Sequence, residues 1–195
     1  RHTRCREVCG LGDVYKRQVK DTIPDEKIEI LRDNCNNLRD RAMIDFLLST
    51  GIRVGELVRL NIDDIDFSER ECVVYGKGDK ERKAYFDAKT KIHLLNYIES
   101  RTDNNIALFV SLNKPHSRLT ESSVELRLRE MGKKLGVEKV HPHKFRRTMA
   151  TRAIEKGMPI EQVQKILGHE QIDTTLRYAM VNQNNVKLSH RKYIS

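Results

Sequence analysis

The chain has 195 residues, of which 38% are hydrophobic and 33% are charged, and this is the composition of one soluble globular domain. Its 37 Lys and Arg outnumber its 28 Asp and Glu, and the net charge of +9 favours a nucleic-acid partner, although basic charge alone is also common on solvated surfaces. No apolar run is long enough to cross a bilayer and no signal peptide opens the chain, which excludes a membrane protein and predicts a cytoplasmic location.

The spacing of cysteine and histidine predicts no metal site, and the sequence indicates no cofactor. His141 and His143 are two candidate ligands, whereas a zinc site needs three or four. Nothing in the spacing of the cysteines matches a zinc finger or a disulfide framework, and we interpret all four as incidental thiols: Cys5, Cys9, Cys35 and Cys72.

The first residues differ in composition from the rest of the chain. The segment 1–18, RHTRCREVCGLGDVYKRQ, has neither helical nor strand periodicity. We interpret residues 1–20 as a non-native or disordered leader, such as translated cloning sequence; the alternative is a basic arm that contacts DNA. The globular domain is expected to extend from Asp21 to Ser195.

The globular pattern begins with helices. Pro24, followed by two acidic residues, opens the first one. The stretch Leu38 to Ser49 is apolar on most faces, which predicts a buried helix that ends at Gly51. A further helix then carries Arg53 at its start and Glu56 one turn later, so Arg53 is expected near the interior.

A β region follows. Three short strands of an antiparallel meander are predicted at Ile65–Phe67, Cys72–Tyr75 and Arg82–Phe86. The last two are joined by Gly76-Lys77-Gly78-Asp79-Lys80, whose glycines permit positive φ. Lys77 at the tip of this hairpin is positioned to reach into a cleft; the alternative is an ordinary charged turn.

The second half of the chain is predicted to be helical. One amphipathic helix covers residues 88–100, and another begins with a capping box of Ser122 and Glu125 and ends at Gly136. The remaining helices are predicted at Lys144–Glu155, Pro159–Leu167 and Asp173–Met180, with a polar helix in residues 182–195. The expected fold class is therefore mainly α with a small antiparallel three-stranded sheet (α+β).

Candidate chemistry is concentrated between His141 and Tyr178. His143 and Arg146 lie one helical turn apart, where a guanidinium fork matches two phosphate oxygens and a histidine can move a proton. Gly168 ends a helix and directs His169 off its axis, and Tyr178 is expected on the second turn of the next helix. Each feature has an ordinary alternative: a solvated helix face, a simple C-cap, or a core tyrosine.

Taken in order along the chain, the motifs are more specific than any one of them. They are Thr-Gly-x-Arg-x-x-Glu-Leu from Thr50, Gly-Lys-Gly from Gly76, His-x-x-Arg from His143, Leu-Gly-His from Leu167, and Tyr178. This order resembles the tyrosine recombinase family of phage integrases, Xer-type recombinases and conjugative-transposon integrases, over residues 21–181. The resemblance implies the catalytic-domain fold of that family. The core-binding domain that usually precedes it is not expected in this chain.

The resemblance also implies roles for individual residues. Arg53 and Arg146 match the arginines that grip the scissile phosphate, supported by Glu56, and His169 matches the residue that hydrogen-bonds that phosphate. The remaining matches concern the nucleophile and proton transfer: Tyr178 as nucleophile, Lys77 as general acid toward the leaving 5′ oxygen, and His143 as the acid/base histidine. A tyrosine pKa of about 10 makes nearby cations necessary for attack.

Double-stranded DNA is the expected partner, and the reaction class is site-specific cleavage and rejoining without a metal. The DNA-binding cations are expected to be Arg53, Lys77, Lys144, Arg146 and Arg147; Arg147 stands where many relatives have histidine. A homo-tetramer on DNA, with residues 182–195 exchanged between neighbours, is also implied. The alternatives are a type IB topoisomerase and a non-catalytic helix-turn-helix protein, since residues 159–178 superficially resemble that motif.

Overall fold

The computed structural model describes residues 22–76, 81–176 and 178. Within these ranges the chain is mainly helical with one three-stranded antiparallel sheet, so the predicted α+β fold class is confirmed. The elements in chain order are α1 (Asp25–Asp33), α2 (Leu38–Thr50), α3 (Val54–Arg59), a 3-10 turn (Ile62–Asp64), β1 (Ile65–Asp66), β2 (Glu71–Tyr75), β3 (Glu81–Tyr85), α4 (Ala88–Glu99), α5 (Glu121–Lys134), α6 (Pro142–Glu155), α7 (Ile160–Leu167) and α8 (Ile172–Leu176).

Helix α2 is the centre of the fold because other elements cover nearly all of its surface. Most of its apolar side chains, such as that of Phe46, are buried, and it packs chiefly against α4 and α6. The helix is capped by Asn37, whose side chain accepts a hydrogen bond from the backbone N of Asp40 at 2.8 Å. It ends at Gly51 with φ of +61°. A Cβ at Gly51 would collide with the side chain of Met149, so the glycine allows α6 to approach the end of α2.

The sheet has the order β1-β2-β3, and the predicted meander is confirmed. Cys72 lies opposite Ala84, and Val74 lies opposite Arg82. Since side chains alternate between the two faces of a strand, these four residues share the face that is turned to the core. Residues 77–80 at the tip of this hairpin, including Lys77, lie outside the described residues.

The apolar core has a large and a small part. The large cluster joins α1 to α5, the sheet and Phe145 of α6. The small cluster consists of Ala150, Val163 and Leu167, and Tyr178 packs against it. The candidate nucleophile is therefore held by α6 and α7 rather than by the main core.

Two local predictions were wrong. Helix α5 is capped two residues before the predicted Ser122: Thr120 Oγ1 accepts from the backbone N of Ser123 at 3.2 Å, and Ser123 Oγ accepts from the backbone N of Thr120 at 3.0 Å. A short hydroxyl side chain here does what the predicted glutamate would do. Helix α8 begins at Ile172 and ends at Leu176, so Tyr178 lies in the turn after it.

In the part of the chain that the structure describes, none of the helices is both long and apolar enough to span a membrane. Within the same residues, no three His, Cys, Asp or Glu side chains are grouped so that they could hold a metal ion.

Candidate active site

Arg53 lies at the N-cap of α3, as predicted, and Glu56 holds it there. The backbone N of Arg53 donates to Glu56 Oε2 at 2.8 Å, and its Nη1 donates to Glu56 Oε1 at 2.9 Å. Glu56 is only 5% exposed, so this pair is not an ordinary surface ion pair. Its second oxygen also accepts from Arg82 Nη2 at 2.6 Å. One buried carboxylate therefore orients two arginines.

The end of α7 is bound by three arginines from three different elements. Arg82 Nη1 on β3 donates to Ile166 O at 2.8 Å, Arg146 Nη2 on α6 donates to Leu167 O at 2.5 Å, and Arg53 Nη2 donates to Gly168 O at 3.2 Å. The last carbonyls of a helix have no partner inside it and carry negative partial charge, so cations are favoured at this position. The Leu-Gly-His motif is thus the point at which these guanidinium groups meet.

Arg146 is the most deeply buried member of this cluster, with 3% of its surface exposed. Its Nη1 donates to Gly51 O at 2.6 Å, which ties the end of α2 to the end of α7. Burial, together with the positive charges of Arg53 and Arg82, lowers the pKa of Arg146 to about 10. The cluster therefore concentrates positive charge that one carboxylate, that of Glu56, offsets only in part.

His169 follows this turn and faces Tyr178. Its Nδ1 lies 2.8 Å from Thr175 Oγ1, and the backbone N of Tyr178 donates to Thr175 O at 2.9 Å. The rings of His169 and Tyr178 are stacked with centroids 6.0 Å apart. Burial and the charges of Arg146, Arg53 and Arg82 lower the pKa of His169 to about 4. The imidazole is therefore neutral at physiological pH.

Residues 21–185, most of the chain, match the family model described as the phage integrase family. The chain belongs to the phage integrase family. This is the tyrosine recombinase family that the order of the motifs predicts, so the predicted family is confirmed.

Known members of the phage integrase family resemble the chain over most of its length. Tyrosine recombinase XerC of Staphylococcus aureus is 37% identical over 161 residues, which cover 80% of this chain and 53% of XerC. The chain thus spans about half the length of the curated relatives it matches. The XerA recombinase structure is 32% identical with a TM-score of 0.78, over 90% of this chain and 64% of XerA.

Two further solved structures share the fold at lower identity. The integrase of transposon Tn1549, in complex with a circular intermediate DNA, is 20% identical with a TM-score of 0.76, over 91% of this chain and 67% of that one. XerH site-specific recombinase bound to its difH substrate in a pre-cleavage complex is 23% identical with a TM-score of 0.72, over 91% of this chain and 55% of XerH.

The predicted site residues of this phage integrase domain differ in their surroundings. Arg53, Arg146 and His169 meet at the end of α7 with Tyr178 stacked on His169, and His143 is exposed on the first turn of α6, with its ring 6.5 Å from that of His141. A shared helix face does not give His143 and Arg146 the same surroundings, because Arg146 turns into the protein.

Of the predicted DNA-binding cations, one departs from expectation. Lys144 is 5% exposed, and its Nζ donates to Glu138 O at 3.0 Å, so its charge is turned away from the surface. Arg147, three residues after Lys144, is half-buried. Lys77 cannot be compared, because it lies outside the described residues.

A cavity of about 600 Å³ opens beside the arginine cluster. Its walls include Arg53, Arg82, Lys165 and His169, and Gly76 places the base of the β2–β3 hairpin at its edge. Arg82 and Thr175 are not among the residues that the sequence motifs predict. The strand pattern does give a signal for Arg82. Being two residues before Ala84, it lies on the same core-facing side of β3, where a charged residue needs buried partners. Thr175 carries no comparable signal.

Proposed function

We propose that residues 21–195 form the catalytic domain of a site-specific recombinase, which cuts and rejoins double-stranded DNA through a covalent tyrosine–DNA link. The observation that carries this proposal is the arginine cluster at the end of α7, directly before a His169 that is stacked on Tyr178. Membership of the phage integrase family supports it. So does the XerH structure, which holds a DNA substrate before cleavage.

In this proposal Arg53 and Arg146 bind the scissile phosphate. The side chain of Arg53 is 38% exposed and lines the cavity, so N–H groups that Glu56 and Gly168 do not occupy are available to phosphate oxygens. Arg146 acts from a more buried position, where its charge is less screened by water. Both stabilise the negative charge that grows on the non-bridging oxygens in the transition state.

The neutral imidazole of His169 is the third phosphate contact. If Thr175 Oγ1 donates to Nδ1, the ring proton is carried on Nε2, which can then donate to a phosphate oxygen. The low pKa of His169 favours this form over a charged one. A neutral donor also avoids a further cation beside three arginines.

Tyr178 is the proposed nucleophile. Its phenol oxygen forms a bond to phosphorus while the bond from phosphorus to the 5′ oxygen breaks. The phenol proton leaves to a base, for which we propose His143, and Lys77 donates a proton to the leaving 5′ oxygen, which becomes a hydroxyl. The products are a 3′-phosphotyrosyl bond and a free 5′-hydroxyl. The reverse attack by a 5′-hydroxyl restores the DNA backbone, so joining needs no nucleotide cofactor.

The test is covalent capture on a pool of duplexes of randomised sequence, each carrying one nick that lets the cleaved end diffuse away. The 195-residue chain is expected to form a protein–DNA band that survives SDS, and Tyr178→Phe is expected to form none while it still binds DNA. An adduct that persists in the variant would remove Tyr178 from its role, and a wild-type chain without any adduct would contradict the proposal.

The same experiment separates the two alternative functions. A non-catalytic helix-turn-helix protein binds the pool without a covalent band. A type IB topoisomerase forms the band but also relaxes supercoiled plasmid without exchanging strands between two sites. The proposed recombinase is expected to enrich particular sequences from the pool and to recombine two copies of them.

The proposed assembly is a homo-tetramer on two duplexes, with residues 182–195 docked on a neighbour. These residues lie outside the described ones; support comes from Ile172 and Leu176 on α8, which precede that segment in the sequence and expose 38% and 46% of their surface. Deletion of 182–195 is expected to leave binding to one duplex intact and to abolish the complex of two duplexes in gel filtration. An unchanged complex would contradict segment exchange.

A further inference from the structure

Arg82 is placed where the parts of the site meet. It lies on β3, the strand that follows the hairpin tip, and its guanidinium joins Glu56 on α3 to Ile166 on α7 through hydrogen bonds of 2.6 and 2.8 Å. Its side chain is only 12% exposed. Two elements far apart in sequence are thus connected to the sheet through one side chain.

The contact of Arg82 with the Leu-Gly-His turn is unusually close. A Cβ placed on Gly168 would lie 2.7 Å from both Cδ and Nε of Arg82. Real Cβ atoms do not approach other atoms this closely, so the arginine fits only because residue 168 is glycine. The turn that directs His169 therefore rests on the side chain of Arg82.

The surroundings of Arg82 are unfavourable for the stability of the protein without DNA. Among the described residues its Nε is buried without a hydrogen-bond partner, and burial lowers the pKa of the guanidinium despite the nearby Glu56. A buried arginine beside two others is not the arrangement that stability alone favours. Each hydrogen bond of Arg82 instead goes to a residue that positions a proposed catalytic group: Glu56 binds Arg53, and Ile166 lies in the turn that leads to His169.

We propose that Arg82 is a positioning residue for the proposed strand cleavage, acting through Glu56 on Arg53 and through the 166–168 turn on His169. It fixes the Glu56 carboxylate by holding Oε2 while Oε1 holds Arg53. It fixes the turn by donating to Ile166 O and by packing against Gly168. Because it anchors both contacts to β3, it also sets the distance between the hairpin base and the phosphate site.

This inference rests on the proposed function, and its test uses the same nicked pool. Arg82→Gln is expected to lower the single-turnover cleavage rate about 10- to 100-fold, because small misplacements of catalytic groups are costly, while DNA affinity changes much less. Arg82→Lys is expected to recover only part of the rate, because one ammonium cannot hold two partners in a fork geometry. Lys83→Gln is the matched control: it removes the same charge from the same strand at a side chain that is 57% exposed.

A double-mutant cycle separates positioning from general support of the fold. If Arg82 acts through Glu56, then Arg82→Gln combined with Glu56→Gln loses little more rate than the more impaired single variant. Fully additive losses, or an Arg82→Gln rate equal to wild type, would overturn the inference. So would a rate loss in Arg82→Gln that is fully explained by a lower midpoint of thermal unfolding and restored by cooling.

One arm needs no DNA and tests the influence of Arg82 on His169 even if the wild-type chain forms no adduct. NMR titration of the His169 ring is expected to give a higher pKa in Arg82→Gln than in wild type, since a cation held beside the turn is removed. An unchanged pKa would show that Arg82 does not act on His169. Failure of the proposed function and failure of this inference are therefore distinguishable.

Discussion

His169 and Tyr178 lie ring against ring, with planes 27° apart, and the side chain and carbonyl of one buried threonine bind both residues. Thr175 has no exposed surface. The proposed nucleophile and its neighbouring histidine therefore depend on a residue that has no exposed surface of its own.

Replacing Thr175 with valine is expected to slow cleavage about tenfold, since the isosteric side chain leaves His169 Nδ1 without its partner and frees the ring. The free energy of unfolding is expected to fall by about 1 kcal/mol. Single-turnover cleavage of the nicked duplex measures the first effect and urea unfolding the second. Thr102→Val, on an exposed loop, serves as the control and is expected to change neither. A Thr175→Val chain with the wild-type rate would contradict this role.

Gly168→Ala and Gly136→Ala form a matched pair. Their φ angles are +61° and +63°, so alanine meets the same backbone strain of about 1–2 kcal/mol at both positions. A Cβ at Gly136 has no atom within 4 Å, whereas one at Gly168 would strike Arg82. Both variants are expected to lose stability, and only Gly168→Ala is expected to lose most of its cleavage rate. Equal cleavage rates in the two variants would mean that Arg82 can be displaced by the added Cβ without effect on the reaction.

The pKa of His169 predicts how stability depends on pH. The folded value is about 4 and the ordinary value is 6.5, so between them the unfolded chain binds more protons than the folded one. His169 therefore lowers the free energy of unfolding as the pH falls from about 6.5 to about 4, and its effect is complete below that. Urea unfolding over this range is expected to show a smaller loss in His169→Gln than in wild type. If the free energy of unfolding depends on pH in the same way in wild type and in His169→Gln, the low pKa of His169 is contradicted.

Lys77 is expected to protonate the leaving 5′ oxygen. Lys77→Ala should therefore cleave an ordinary nicked duplex poorly and recover most of its rate on a duplex whose scissile phosphate has a 5′-bridging sulfur, because a thiolate leaves without protonation. Tyr178→Phe is the control and should remain inactive on both substrates. Without recovery by the sulfur substrate, the general acid would have to be another residue, and His143 would be the first candidate.

Much of the scaffold was predictable from the sequence because its signals are local. The buried helix α2, the glycine that ends it and the three strands each follow from periodicity or turn residues within a short window. The position of Arg53 at a helix start also follows from local pattern. The cap of α5 was placed wrongly because two patterns overlap in one segment: Thr120 with Ser123, which the structure uses, and Ser122 with Glu125.

The rest of the site depends on contacts between distant parts of the chain. Nothing near Lys144 indicates that Glu138 O will accept from it, and nothing near Arg82 indicates that it will reach α3 and α7. The motifs identify the residues that the proposed reaction needs. They give no information on other residues that position those side chains. Arg82 and Thr175 belong to the second group.

The attachment of the α7 end to arginines that precede it by 115, 84 and 21 residues has a consequence for the order of synthesis. Every guanidinium leaves the ribosome before the carbonyl that will accept from it, and Tyr178 follows later still. A nascent or truncated chain can thus display basic charge while it lacks both the organised cluster and the proposed nucleophile. The proposed cleavage therefore requires that nearly the whole domain has been made and folded.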